Sequence, residues 1–181
     1  MTIRTNRDRD KTNAHQALRA GLLVEMRKHF GADQHRIDHA LAVLGWAERI
    51  RADEPGDPDV IVPAAILHDV GIPAAEAKHG SASGPFQEIE GPPIARRICR
   101  RVGLDAKRTE HVCRIIANHH TAGDIDSPEF RIVWDADWLV NLPETVPDRG
   151  AAMDKRIERI FKTPAGRRLA RATYASERIA S

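Results

Sequence analysis

Residues 64–73 read AAILHDVGIP, an apolar run that carries an adjacent histidine and aspartate, His68 and Asp69, before Gly71 and Pro73. Such a run reads as a buried helix, and Gly followed by Pro reads as its end. The doublet then sits in a last helical turn. An aspartate there faces the negative end of the helix dipole, an unfavourable placement of ~0.3–1 kcal/mol unless something offsets it. Water, an arginine or a bound cation would each serve.

Working outward, three more segments place polar residues on apolar faces. Drawn as a helix at 100° per residue, residues 34–51 put His39 among Val43, Trp46, Ala47 and Ile50. A lone inward histidine is ordinarily a satisfied core residue, so His39 gains meaning only in company. Residues 106–120 put His119 on a face with Val112, Ile115 and Ile116, and His120 just beside it. Neutral imidazoles ligate borderline transition metals, and a histidine pair also serves as acid or charge stabiliser at a phosphate. Residues 132–142, IVWDADWLVNL, put Asp137 among Val133, Trp134 and Val140, and Asp135 toward Leu139 and Trp138. Acids almost never go inside unpaired. At least one of the two should be compensated by a cation, and one shared with the histidines answers several of these oddities together.

The rest of the chain sets the frame. It has 181 residues, enough for one domain with a real core. Hydrophobic residues make up 41% and charged residues 30%, the balance of a globular protein and not of a disordered or membrane chain. Helical periodicity predicts helices at 14–30, 34–51, 60–70, 92–102, 106–120, 130–142 and 153–161, with a last one from Pro164. No alternating strands occur, so the fold class is all-α. Residues 1–13 read as a polar tail, 14–181 as the domain with its motifs in 34–142, and 153–181 as C-terminal helices. The stretch 80–91, GSASGPFQEIEG, reads as the longest loop, of a kind often functional beside a site.

Charge and cysteines exclude some functions. Twenty-eight Lys+Arg against 26 Asp+Glu leave +2, so no overall field draws the protein to nucleic acid or anionic membrane. Arg96, Arg97, Arg100 and Arg101 form one local basic stripe, read as a solvated helix face or as a contact for an anion. Cys99 and Cys113 stand among aliphatic residues, in neither metal nor disulfide spacing. Residues 1–15 hold no apolar core of a secretion signal, so a cytoplasmic setting is expected, with no membrane partner.

The order HALAVL at His39, AAILHDVGI at His68 and Asp69, IIANHH at His119 and His120, and DADWL at Asp137 resembles the HD superfamily, named for its adjacent His and Asp. The likeness runs from about Gln34 to Leu142. It implies a single-domain helical bundle in which His39, His68, Asp69 and Asp137 hold a divalent metal and Asp135 lies behind them. It further implies a phosphohydrolase acting on a small phosphorylated substrate, a phosphomonoester or phosphodiester, with nucleotides among the candidates. Manganese, iron, cobalt, nickel, zinc and magnesium are the candidate ions, one or two of them. Asp69 would orient water or bridge two ions, while His119 and His120 would bind a second ion or steady the phosphate. A homo-oligomer is left open.

This chain also departs from its relatives. Many follow the doublet with Gly-Lys, whose lysine meets phosphate, where here stands Gly71-Ile72-Pro73. Lys78 and the arginine stripe are the candidate replacements. The cyclic-dinucleotide branch carries Gly-Tyr-Pro after its histidine pair, whereas Thr121-Ala122-Gly123 follow His120, which argues against that branch. Two rival readings keep the fold: a di-iron oxygenase, for which the extra histidines leave room, and a non-catalytic nucleotide-binding module, for which lost ligands would be the mark. No such loss is visible.

Overall fold

A computed structural model describes residues 6–145 and 151–175. Nine α-helices occupy the described residues: α1 Asn6–Phe30, α2 Gln34–Ile50, α3 Pro58–Leu67, α4 Ile72–His79, α5 Gly84–Arg101, α6 Ala106–Ile116, α7 Pro128–Thr145, α8 Ala151–Ile160 and α9 Pro164–Ala170. A short π-helical turn, Arg171–Ala175, follows α9. No strand occurs among the described residues, as the periodicity requires.

Local chemistry sets the helix starts. Asp33, Asp57, Asp105 and Thr163 each accept a backbone N–H of the first turn of α2, α3, α6 and α9, satisfying donors that the helix itself leaves orphaned. Gly80 closes α4 in the left-handed conformation, φ +65°, which costs glycine nothing. The element that organises the rest is α3, in which every residue from Val60 to Leu67 is buried. A helix that is apolar all round belongs inside a bundle, and α1, α2, α5, α6 and α7 pack about it. Each fully buried aliphatic side chain there contributes roughly 1.5–3 kcal/mol. No single described helix is long and apolar enough to cross a membrane.

Several boundaries differ from the sequence expectation. Helix α1 begins at Asn6, so residues 6–13 are helical and not a tail, while 1–5 lie outside the described residues, as do 176–181 of the C-terminal helices. Pro73, read as a stop, instead occupies the first turn of α4, where its missing N–H costs no bond. The largest revision concerns 80–91, read as a loop. Helix α5 starts at Gly84 and runs through Pro92 and Pro93 to Arg101. Tertiary partners hold its first half: Glu88 accepts the backbone N–H groups of His120 and Thr121 at 3.0 and 2.9 Å, and Glu90 binds Lys78 and His79. Helix α6 stops at Ile116, which puts His119 and His120 on the turn beyond it.

Candidate metal centre

Four elements deliver the site. His39 comes from the middle of α2, His68 and Asp69 from the turn between α3 and α4, His119 and His120 from the turn after α6, and Asp137 from α7. The buried α3, packed on all sides, carries the doublet at its end into the bundle. Gly71 lets α5 come close: a Cβ there would meet the Gln87 carbonyl oxygen at 2.6 Å and the Gly91 nitrogen at 2.8 Å.

The side-chain atoms converge. His39 Nε2 lies 3.1 Å from His68 Nε2 and 3.1 Å from Asp137 Oδ1. Asp69 Oδ2 is 3.3 Å from His68 Nε2 and 3.4 Å from His39 Nε2. Its other oxygen, Oδ1, is 3.5 Å from His119 Nε2. His68 and His119 are held the same way, Nδ1 donating to a backbone carbonyl three residues earlier, Ala65 at 2.9 Å and Ile116 at 2.7 Å. That bond fixes the tautomer and leaves Nε2 to face the carboxylates. His119 Nε2 is buried and has no hydrogen-bond partner. Orphaned buried nitrogens are rare and call for an explanation.

The electrostatics follow from this crowding. Burial opposes charge on His68, but Asp69 and Asp137 outweigh it and raise its pKa well above the ordinary 6.5. Burial likewise opposes charge on Asp69 and Asp137, yet the neighbouring imidazoles hold both carboxyls well below the usual range. Burial, and next to it His119, push the His120 imidazole down to about 4. The cluster thus keeps two buried carboxylates ionised and draws positive charge to one point. Two sets of donors stand ready for an ion, His39 with His68 and Asp69, and Asp69 with His119 and His120. Imidazole nitrogens and carboxylate oxygens suit a borderline divalent ion, and an ion beside His119 would give its orphaned Nε2 a partner. The residues fit.

All six ligand positions read from the sequence are therefore brought together. Asp135 is not. Fully buried, it accepts the backbone N–H of Lys162 at 2.7 Å and of Thr163 at 2.8 Å and the Thr163 hydroxyl at 2.7 Å. It ties α7 to the α8–α9 turn, where backbone donors and not a cation compensate it. Lys78 pairs with Glu90 at 2.5 Å, Arg96 with Glu110 at 2.5 Å and Arg101 with Glu25.

Two features escaped the sequence reading. Asn141 Nδ2 donates to Asp137 Oδ1 at 2.8 Å, and the signal was a polar residue one turn beyond an inward acid. Gly84 packs its Cα against the His120 ring, where a Cβ would come within 2.8 Å, and the glycine-rich stretch 80–91 was the signal. A cavity of about 910 Å³ lies elsewhere, beside α6, lined in part by Arg108, His111, Ser127 and Glu129. Its polar groups satisfy one another, His111 with Ser127 at 2.8 Å, Glu129 with the Asp57 N–H and Arg108 with Asp57. The metal cluster, with its unpaired nitrogen, is the stronger candidate.

Comparison with known proteins bears on the family and the fold. The model of the HD domain matches residues 36–142, more than half of the chain. Among solved structures, a predicted HD superfamily hydrolase from an uncultured Thermotogales bacterium superposes with a TM-score of 0.63 at 24% identity, over 83% of this chain and 82% of that one. At that identity the likeness speaks for the fold.

Proposed function

We propose that this chain, which belongs to the HD domain family, is a metal-dependent hydrolase of phosphate esters, monoesters or diesters, with nucleotides among the candidate substrates. The observation that carries the reading is Asp69, whose one oxygen faces His39 and His68 while the other faces the unpaired Nε2 of His119. His39, His68, Asp69 and Asp137 would hold the ion. A divalent ion so bound supplies a Lewis acid for a phosphoryl oxygen and brings the pKa of water toward neutrality.

The side chains do the remaining work. Asp69 is kept ionised by His68 and His119 against its burial, so it can accept a hydrogen bond from water and orient it. His120, neutral at physiological pH with its pKa near 4, keeps one donor and one acceptor nitrogen to face a phosphoryl oxygen or to move a proton. His119 stands beside it to hold a second ion or to steady the phosphate.

Two donor sets sharing Asp69 also suit a pair of irons in an oxygen-using enzyme, so the test must separate the two chemistries. Chelator-treated protein, resupplied in turn with manganese, iron, cobalt, nickel, zinc and magnesium, is assayed for phosphate release across nucleotides and phosphorylated metabolites. Release restored by at least one ion supports the proposal. Oxygen uptake with an organic substrate and no phosphate release under any ion would favour the oxygenase. Nucleotide binding without either turnover would favour a binding module.

A further inference from the structure

The arginine stripe of α5 is divided by its surroundings. Arg96 and Arg101 have carboxylate partners in Glu110 and Glu25, while Arg97 borders a cavity of about 300 Å³ between α1 and α5. Lys28 and His29 line it from the last turn of α1, Arg97 and Arg101 from α5, over a floor of Ile94 and Ile98. Glu25 stands at the same cavity. Leaving His29 aside, three positive side chains against one negative leave a local charge of +2. Neither Lys28 nor Arg97 forms an ion pair among the described residues.

The helix dipole accounts for part of this. Cations are favoured in a last turn, which covers Lys28, His29 and Arg101. It does not cover Arg97, a turn earlier, nor the recess with an apolar floor that separates these cations from an ordinary solvated face. Charged side chains that converge over the apolar floor of Ile94 and Ile98 can grip a small anion, and the volume is at the small end of ligand sites. Arginine and lysine together suit phosphate, the one as a planar fork and the other as a point charge. The site also adjoins the metal-bearing turn: His29 Nε2 donates to the Val70 carbonyl at 2.8 Å, and Val70 directly follows Asp69.

We propose that this cavity is a second anion site, separate from the metal cluster, which takes a small soluble phosphate-bearing molecule on Lys28 and Arg97. It stands independently of the reaction assigned to the metal centre. A nucleic-acid backbone or an anionic lipid surface offers the same chemistry, but a recess of this size admits a small ligand and not an extended one.

The test titrates inorganic phosphate into the magnesium-loaded full chain and follows the His29 ring by NMR. Saturable shifts are expected. Arg97→Gln and Lys28→Gln should each weaken this binding about tenfold, as loss of a charge-assisted hydrogen bond does. Arg100→Gln removes the same charge from the same stripe outside the cavity, and should leave the affinity nearly unchanged. Shifts that never saturate, equal weakening by all three substitutions, or saturation only with duplex DNA or phosphatidylserine vesicles would overturn the proposal. Because His29 bonds to Val70 beside Asp69, phosphate at the metal alone would shift its ring equally in wild type, Arg97→Gln and Lys28→Gln, and that result would overturn the proposal too.

Discussion

Asp69 lies between two groups of imidazoles, with His39 and His68 on one oxygen and His119 on the other. Replacing it with asparagine keeps the shape and removes the charge, so Asp69→Asn should lose most of its bound metal while the fold survives. His68→Gln should do the same, and elemental analysis of the folded variants checks both; wild-type metal content in either contradicts the assignment. His119→Gln divides the two roles left for that residue, since loss of one of two ions marks a ligand and unchanged metal with reduced turnover marks a phosphate contact. The pH dependence follows from His68, which holds its proton above the ordinary 6.5 because Asp69 and Asp137 outweigh its burial. A metal must displace that proton. Affinity is therefore expected to fall as pH drops through the raised value and to level off above it. Calorimetric titration in buffers of different ionisation heat reads both the affinity and the proton released, and an affinity flat across this range contradicts the expectation.

At the scale of elements, the doublet turn and α5 meet closely at Gly71. Gly71→Ala would drive a Cβ into backbone atoms of Gln87 and Gly91, and such overpacking costs about 1–3 kcal/mol. Because the same turn carries His68 and Asp69, weaker metal binding should accompany the lower melting temperature, and a variant with unchanged values of both would show that the turn yields freely. The one-sided helices α2, α6 and α7 and the wholly apolar α3 were legible in the sequence, and with them the inward His39, His68, His119 and Asp137. The signals that failed were prolines and glycines. Pro73 begins a helix where a stop was read, and Pro92 and Pro93 lie inside one, because tertiary contacts of Glu88, Glu90 and Gly91 outweigh local breaking. Asp135 failed for another reason: periodicity shows that a residue is buried but not which partner it meets, and here that partner is the backbone of Lys162 and Thr163.

The molecule as a whole brings together His39 and Asp137, 98 residues apart, with α3 as the common support. An ion that ties α2, α7 and the α3–α4 turn together binds the folded chain and not the unfolded one. At a hundred times its Kd it should add about 2.7 kcal/mol to stability, seen as a melting temperature that rises with manganese in wild type and stays level in Asp69→Asn. The central claim is that this cluster holds the metal on which phosphate-ester hydrolysis depends. Its most direct test is phosphate release by wild-type and Asp69→Asn protein, each stripped by chelator and then resupplied with metal, against a substrate that the screen identifies. The account predicts that wild type loses release on stripping and regains it with metal, while Asp69→Asn stays inactive throughout. Release that survives stripping, or that Asp69→Asn retains at the wild-type rate, would contradict it.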